Sequence, residues 1–318
     1  MKIVFMGTPD FAAGALKALI AAGHEITAVV TQPDKAKGRS NKLIYTPVKE
    51  CALEHNIPVM QPRRIKTPEA IAELKQYEAD VFVVAAFGQI LSQEILDMPQ
   101  YGSLNIHASL LPKYRGASPI QHVIIDGEEE TGVTIMQMDA GIDTGDMLYK
   151  KTIGIDSEDT YESLHDKLMV IGGEAIVEAL ELLESGALVP EKQDDALSIH
   201  APLIMKERGN IDFNMSAAAI ERLVRGLNPW PSAYSSYKGK QLKVWKAHVE
   251  ENCAGDGIMT LEYLVPGTVK EVTKNTIKVV TNQGLLCIDE VQLEGKKRMS
   301  THDFLLGVKV APGEVLGN

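Results

Sequence analysis

The sequence predicts an α/β domain built on a mostly parallel sheet, followed by a smaller β-barrel domain. Three observations predict it. Over the first 189 residues, short β-branched runs alternate with helical patterns, which implies βαβ units. From residue 206 onward, short β runs are separated by turn residues such as Asn282-Gln283-Gly284. The chain of 318 residues is longer than the ~250–300 residues that one core usually supports. The domains are expected at 1–189 and 206–318. A linker is expected at 190–205, where PEKQDDALSIHAPLI loses the rhythm.

Lys2–Met6 is an apolar run of strand length. Gly7-Thr8-Pro9-Asp10 turns into a helix, with Thr8 suited to the N-cap and Pro9 to the first helical position. Phe11, Leu16, Leu19 and Ile20 are spaced for the apolar side of that helix. Ile26–Thr31 is the next strand, residues 47–55 a helix, Val59-Met60 a short strand and Pro68–Tyr77 a helix. Ala79–Ala86 is uninterruptedly apolar, as a central parallel strand would be. Then follow a strand at Ser103–His107, a helix at Ser118–Asp126, strands at Gly132–Met138 and Met147–Ile155, and a long helix at Asp159–Ser185 with Thr160 near its start. In the second domain Gln241–Ala247, Gly267–Val272, Thr276–Thr281 and Leu285–Val291 read as strands.

Composition narrows the class. Hydrophobic residues are 45% and charged residues 24%, which argues against a disordered chain. No run of ~18 apolar residues is present to span a membrane. The start shows no basic and apolar leader pattern, so a cytoplasmic location is expected. Cys51, Cys253 and Cys287 are scattered without a CxxC, which suits a reducing compartment and disfavours structural zinc. The net charge of −11 hides a strong asymmetry. Residues 126–195 hold 19 acidic against 4 basic residues. Residues 31–49 hold Lys35, Lys37, Arg39, Lys42 and Lys49 against Asp34 alone. A local basic field is therefore compatible with an acidic total.

The richest segment for chemistry is SLNIHASLLPKYRGASP, residues 103–119. Asn105 and His107 lie two apart on one strand, so both side chains share a face, at the end where open α/β sheets place their sites. An amide beside an imidazole can stabilise an oxyanion and handle a proton. Spacing alone leaves open a histidine that is simply hydrogen-bonded in the fold. The loop MDAGIDTGD, residues 138–146, offers three aspartates. It departs from the EF-hand pattern and contains no histidine, so no metal is expected. A carboxylate orienting His107 and aspartates that merely cap the loop both remain open. The Gly7–Asp10 turn lacks the GxGxxG of a dinucleotide site, which disfavours a nicotinamide dehydrogenase. The other histidines and the cysteines read as structural.

With NIHASLLP at 105–112 and DAGIDTG at 139–145, the chain resembles the formyltetrahydrofolate-dependent formyltransferases. FMGTPD (5–10), TQPDKAKGR (31–39), YRGASPIQ (114–121), VTIMQMDAGIDTGDM (133–147) and NPWP (228–231) resemble the branch of that family acting on methionyl-tRNA. The likeness covers nearly the whole chain. It implies a Rossmann-like sheet domain with an OB-like C-terminal barrel. It also implies formyl transfer from 10-formyltetrahydrofolate to the α-amino group of methionyl-initiator tRNA, in translation initiation. Asn105, His107 and Asp143 match the catalytic positions. Ser109, Leu110, Leu111 and Pro112 match the folate-holding stretch, supported by backbone around Phe87 and Gly88. Lys35, Lys37, Arg39 and Lys42 match the loop that engages tRNA.

These assignments make chemical sense. Asn105 can donate to the formyl oxygen as charge develops, while His107 adds a second donor or passes a proton. Asp143 would hold the imidazole. Leu110, Leu111 and Phe87 would wall the pterin, and no metal or covalent intermediate is required. Phosphate contacts need clustered cations rather than a basic total. Besides the 35–42 loop, the candidates are Arg63-Arg64-Lys66, Lys238, Lys240, Lys243, Lys246 and Lys296-Lys297-Arg298. Trp230 is expected as a packing anchor. Two rivals are a formyltransferase for a small amine (glycinamide ribonucleotide or a sugar nucleotide) and a non-catalytic RNA-binding protein. The basic loop and residues 206–318 argue against the first, and the intact Asn/His/Asp trio against the second. A monomer is expected, because no coiled-coil pattern or long apolar seam is present.

Overall fold

A computed structural model describes residues 1–37, 42–250 and 264–317. Arg39 and Cys253 lie outside the described residues. The chain divides into two compact units. One comprises Met1–Pro119, Glu130–Gly154 and His165–Ala201; the other comprises Ile120–Glu129, Ile155–Leu164 and Pro202–Asn318.

The first unit is organised by β1 (Lys2–Gly7), α1 (Asp10–Ala21), β2 (Glu25–Val30), a β3–β4 hairpin (Lys35–Lys37, Lys42–Ile44) and α2 (Pro47–Glu54). Then come β5 (Val59–Met60), α3 (Pro68–Leu74), β6 (Val81–Ala85), α4 (Gln93–Leu96) and β7 (Ser103–His107). Next in the chain are α5 (Pro119–Asp126), which falls almost wholly in the second unit, β8 (Glu130–Gln137), β9 (Met147–Gly154) and α6 (Tyr161–Glu184), whose first four residues also fall in the second unit. The seven-stranded sheet has the order β5-β2-β1-β6-β7-β8-β9. The first five strands run parallel, while β8 is antiparallel to β7 and β9 to β8. Apolar runs built for two-sided burial sit in the middle: Ile3–Met6 are 0% exposed, and every residue of β6 is buried. Val4, Met6, Val30, Phe82, Val84, Phe87 and Ile95 belong to one core cluster.

Sequence order reverses across β1. The chain moves outward through β2 and β5, then returns to place β6 on the other side. That is a topological switch point, where open α/β sheets leave a crevice beyond the strand C-termini. The loops after β1 and β6 meet there: the Thr8 hydroxyl donates to the Phe87 carbonyl at 3.1 Å.

Two expectations need correcting here. Thr8 is not the helix cap. Pro9 holds the N-cap position without a side-chain bond, because the Thr8 hydroxyl is committed across to Phe87. Asp10 instead supplies negative charge to the first turn and accepts from Phe11 N–H at 3.0 Å. Helix α3 stops at Leu74, three residues early, because the chain closes with tight bonds from Gln76 N to Glu73 O and from Tyr77 N to Leu74 O.

The second unit carries α7 (Ala217–Gly226), β10 (Ala233–Tyr237), β11 (Lys240–Val249), β12 (Val269–Val272), β13 (Ile277–Val280), β14 (Leu285–Leu293), β15 (Met299–Ser300) and α8 (Thr301–Gly307). Its antiparallel sheet runs β10-β11-β14-β13-β12, with β15 paired to β14. Alternating residues of β11 and β14 join a core with Ile220 and Val224 of α7. Sequence reading missed α7. Its signals were Ser216, whose hydroxyl accepts from Ala219 N–H, and the spacing of Ile220, Leu223 and Val224. Trp230 is 49% exposed, so it is no packing anchor. The flanking peptides Asn228-Pro229 and Trp230-Pro231 are cis.

Candidate active site

His107 ends β7 and is 6% exposed. Its Nε2–H donates to the Tyr114 carbonyl at 2.9 Å, since a carbonyl can only accept. Nδ1 is thereby left facing Asp143 Oδ2 at 3.6 Å, with the Asp143 side chain 17% exposed. That separation exceeds a hydrogen bond, so the two groups face each other without one. Asn105 is half-buried two residues earlier on the same face of β7. Among the described residues its amide takes no hydrogen-bond partner.

Strand topology makes the approach of Asp143 non-obvious. Because β8 runs against β7, residues 138–146 set out beside Ser103, whose carbonyl accepts from Met138 N–H at 2.8 Å. The loop must turn back to reach His107. Asp139 ties that turn by accepting from Gly141 N–H at 2.9 Å and from the Thr144 hydroxyl at 2.8 Å. Asp143 itself sits at φ 54°, in the left-handed region. Gly145 packs so tightly on the Gln137 carbonyl that an added Cβ would lie 1.8 Å from it. Asp143 Oδ2 also accepts from Gly116 N–H at 2.9 Å, and Gly116 has a φ of 115° that favours glycine.

The stretch after His107 is held from below. The Ser109 hydroxyl donates to Lys113 O at 2.7 Å. Thr134 Oγ1 donates to Ser109 O at 2.7 Å and accepts from Leu111 N–H at 3.1 Å. Ser109 and Leu111 are buried, Leu111 against Met136 and Met147. Leu110 and Pro112 are half-buried, and Gly88 is exposed at φ 78°. Phe87 is 2% exposed within the core, and Thr8 and Gln32 both donate to its carbonyl.

This arrangement sits inside a family pattern. The model of the formyl transferase family matches residues 1–180, and that of the formyl transferase C-terminal domain matches residues 203–309. The chain belongs to the formyltransferase family. The formyltransferase is 52% identical over 317 residues to the methionyl-tRNA formyltransferase of Lachnospira eligens, covering all of both chains. It is 49% identical over 318 residues to that of Geobacter metallireducens, covering 100% of this chain and 99% of the relative. Its fold resembles an N-formyltransferase of Helicobacter canadensis solved with folinic acid and dTDP-3-aminofucose. There the TM-score is 0.67 at 20% identity, covering 92% of this chain and 99% of that one.

Lys35 is exposed on the β3–β4 hairpin, and Lys37 pairs in register with Lys42 at its closing end. On the second unit, Lys238 pairs with Glu314 at 2.8 Å and Arg298 with Glu290. Lys243 and Arg298 flank the Trp245 ring at 5.5 and 4.6 Å. Sequence reading missed Tyr114, Gly116 and Gln193 as supports of the site. Gly116 alone carried a signal, as a glycine just after a functional motif. Among the described residues no three His, Cys, Asp or Glu side chains gather as a metal site, and no helix is long and apolar enough to cross a membrane.

Proposed function

We propose that this formyltransferase moves the formyl group of 10-formyltetrahydrofolate to the α-amino group of methionyl-initiator tRNA through Asn105, His107 and Asp143. The observation that carries the reading is the His107–Asp143 pair beside a free Asn105 amide, in a chain about half identical to methionyl-tRNA formyltransferases over its full length. The amine lone pair forms the new C–N bond at the formyl carbon, and the bond from that carbon to N10 breaks. The amine gives up a proton and N10 gains one.

Asn105 donates to the formyl oxygen as its negative charge grows. Because Nε2–H of His107 is engaged by Tyr114 O, proton handling falls to Nδ1. Asp143 stabilises the charge that the ring carries during that exchange. Leu110, Leu111, Pro112, Phe87 and Gly88 form a partly apolar, partly polar cradle suited to a pterin. Ser109 and Leu111 hold the shape of that cradle from within. Lys35, Lys37, Arg39 and Lys42 contact the tRNA. The enzyme works as a cytoplasmic monomer, with residues 206–318 as its tRNA-binding domain.

The test is formylation by the purified protein with 10-formyltetrahydrofolate and methionine-charged initiator tRNA, beside free methionine and glycinamide ribonucleotide. Formyl-methionyl-tRNA as the only product is expected. Turnover of a small amine alone would overturn the tRNA assignment.

A further inference from the structure

Residues 190–205 read as a linker in the sequence, yet part of that stretch is bonded tightly to the active-site loops. Glu191 exchanges two backbone bonds with Met147, each 2.8 Å, at the foot of the Asp143 loop. Arg115 N–H donates to Ile199 O at 2.9 Å, and Ala201 N–H donates to Arg115 O at 2.7 Å. The segment thus bridges the two loops that act on His107 and Asp143, one through Tyr114 O and the other through Asp143 itself.

Gln193 lies at the centre of this bridge. Its Nε2 donates to Asp143 O at 2.8 Å and to Gly145 O at 2.7 Å. Its Oε1 accepts from Arg115 Nε at 2.9 Å. Arg115 also donates through Nη2 to Asp195 Oδ1 at 2.8 Å. Both amide hydrogens and the amide oxygen are therefore used, and the arginine dictates which way round the amide sits, because a guanidinium can only donate. Flipping the amide would set an oxygen against two carbonyls and nitrogen against the guanidinium.

We propose that Gln193 is a positioning residue for the His107–Asp143 pair, oriented by Arg115 and acting by holding the backbone of Asp143 and Gly145. The inference rests on the proposed role of that pair. Asp143 sits at a left-handed φ in a loop that must double back, so its carboxylate position depends on restraints from outside the loop. A misplacement of about 1 Å at a reacting group can cost on the order of 100-fold in rate.

The experiment compares Gln193→Met, which keeps volume and removes all three bonds, with Gln193→Glu, which sets a carboxylate oxygen against the two carbonyls. Each is measured alone and on an Asp143→Asn background, by single-turnover formylation with KM for both substrates and thermal unfolding. Gln193→Met should lower kcat by about 10- to 100-fold, with KM values within about threefold. Gln193→Glu should lose at least as much. On the Asp143→Asn background, Gln193→Met should add less than about threefold, because both changes disable one unit.

A folded Gln193→Met with wild-type kcat overturns the proposal, as does a full multiplicative loss in the double variant. If Gln193→Met fails to fold, Gln193→Glu, which keeps the side-chain shape and sets oxygen against both carbonyls, carries the same test, and a wild-type kcat there overturns it too. Wild-type kcat in Asp143→Asn would instead strike at the His–Asp reading itself, leaving that failure distinguishable.

Discussion

Replacing Asp143 by Asn removes one negative charge while keeping an oxygen for the Gly116 N–H. At the observed 3.6 Å from His107 Nδ1, an effective dielectric of ~20 gives roughly 4–5 kcal/mol of attraction for a charged ring. The carboxylate is 17% exposed, and solvent recovers part of this in the ground state. Taking about half as differential leaves ~2 kcal/mol in the transition state, or roughly 30-fold in rate. Rapid-quench single-turnover formylation of methionyl-tRNA is the suitable assay, because product release cannot then mask chemistry. The loss should fall on the chemical rate, with both KM values within about threefold. A folded Asp143→Asn enzyme with a chemical rate within twofold of wild type would refute the electrostatic role assigned to this residue.

Removing the imidazole by His107→Ala should cost on the order of 10²–10⁴ in kcat and leave tRNA affinity unchanged in filter binding. Thr134→Val should leave Leu111 N–H unpaired in a buried site, destabilise the protein by about 1–3 kcal/mol in urea unfolding, and raise the folate KM more than the tRNA KM. Burial alone would raise the Asp34 carboxyl, but hydrogen bonds from Lys49 and Gln61 and the Lys49 charge hold it below the usual carboxylate range. A depressed pKa contributes stability above the unfolded value of ~4 that is lost as pH falls through the folded value. The stability gap between wild type and Asp34→Asn should therefore be steady near pH 7 and shrink below pH ~4, as read by urea unfolding at both ends.

Strand β7 is the clearest case of legibility. Its predicted bounds, Ser103–His107, are those observed, and the period of two correctly puts Asn105 and His107 on one face. Alternation and burial are local properties of a strand, so they survive into the sequence unaltered. The Thr8 reading failed for the opposite reason. A hydroxyl before a helix is a cap by local rules, but its partner here, Phe87 O, lies 79 residues away. Helix α7 carried two local signals, the Ser216 cap and its apolar spacing, beside a Gly- and Pro-rich turn. The segment around Gln193 was not legible at all. It carries no regular period, because its order comes from single bonds to two distant loops.

The sequence on its own specified the parallel core, the β-rich second unit and the residue types of the candidate site. Strand and helix periodicity and motif spacing are written within a few residues of each other. Tertiary structure alone decided that Asp143 turns back against strand direction to face Nδ1, that Tyr114 takes the other ring nitrogen, and that Arg115 and Gln193 brace the loop. Each of those depends on which groups a folded chain brings together, within about 3 Å for a hydrogen bond, and no local pattern encodes a partner chosen by tertiary packing.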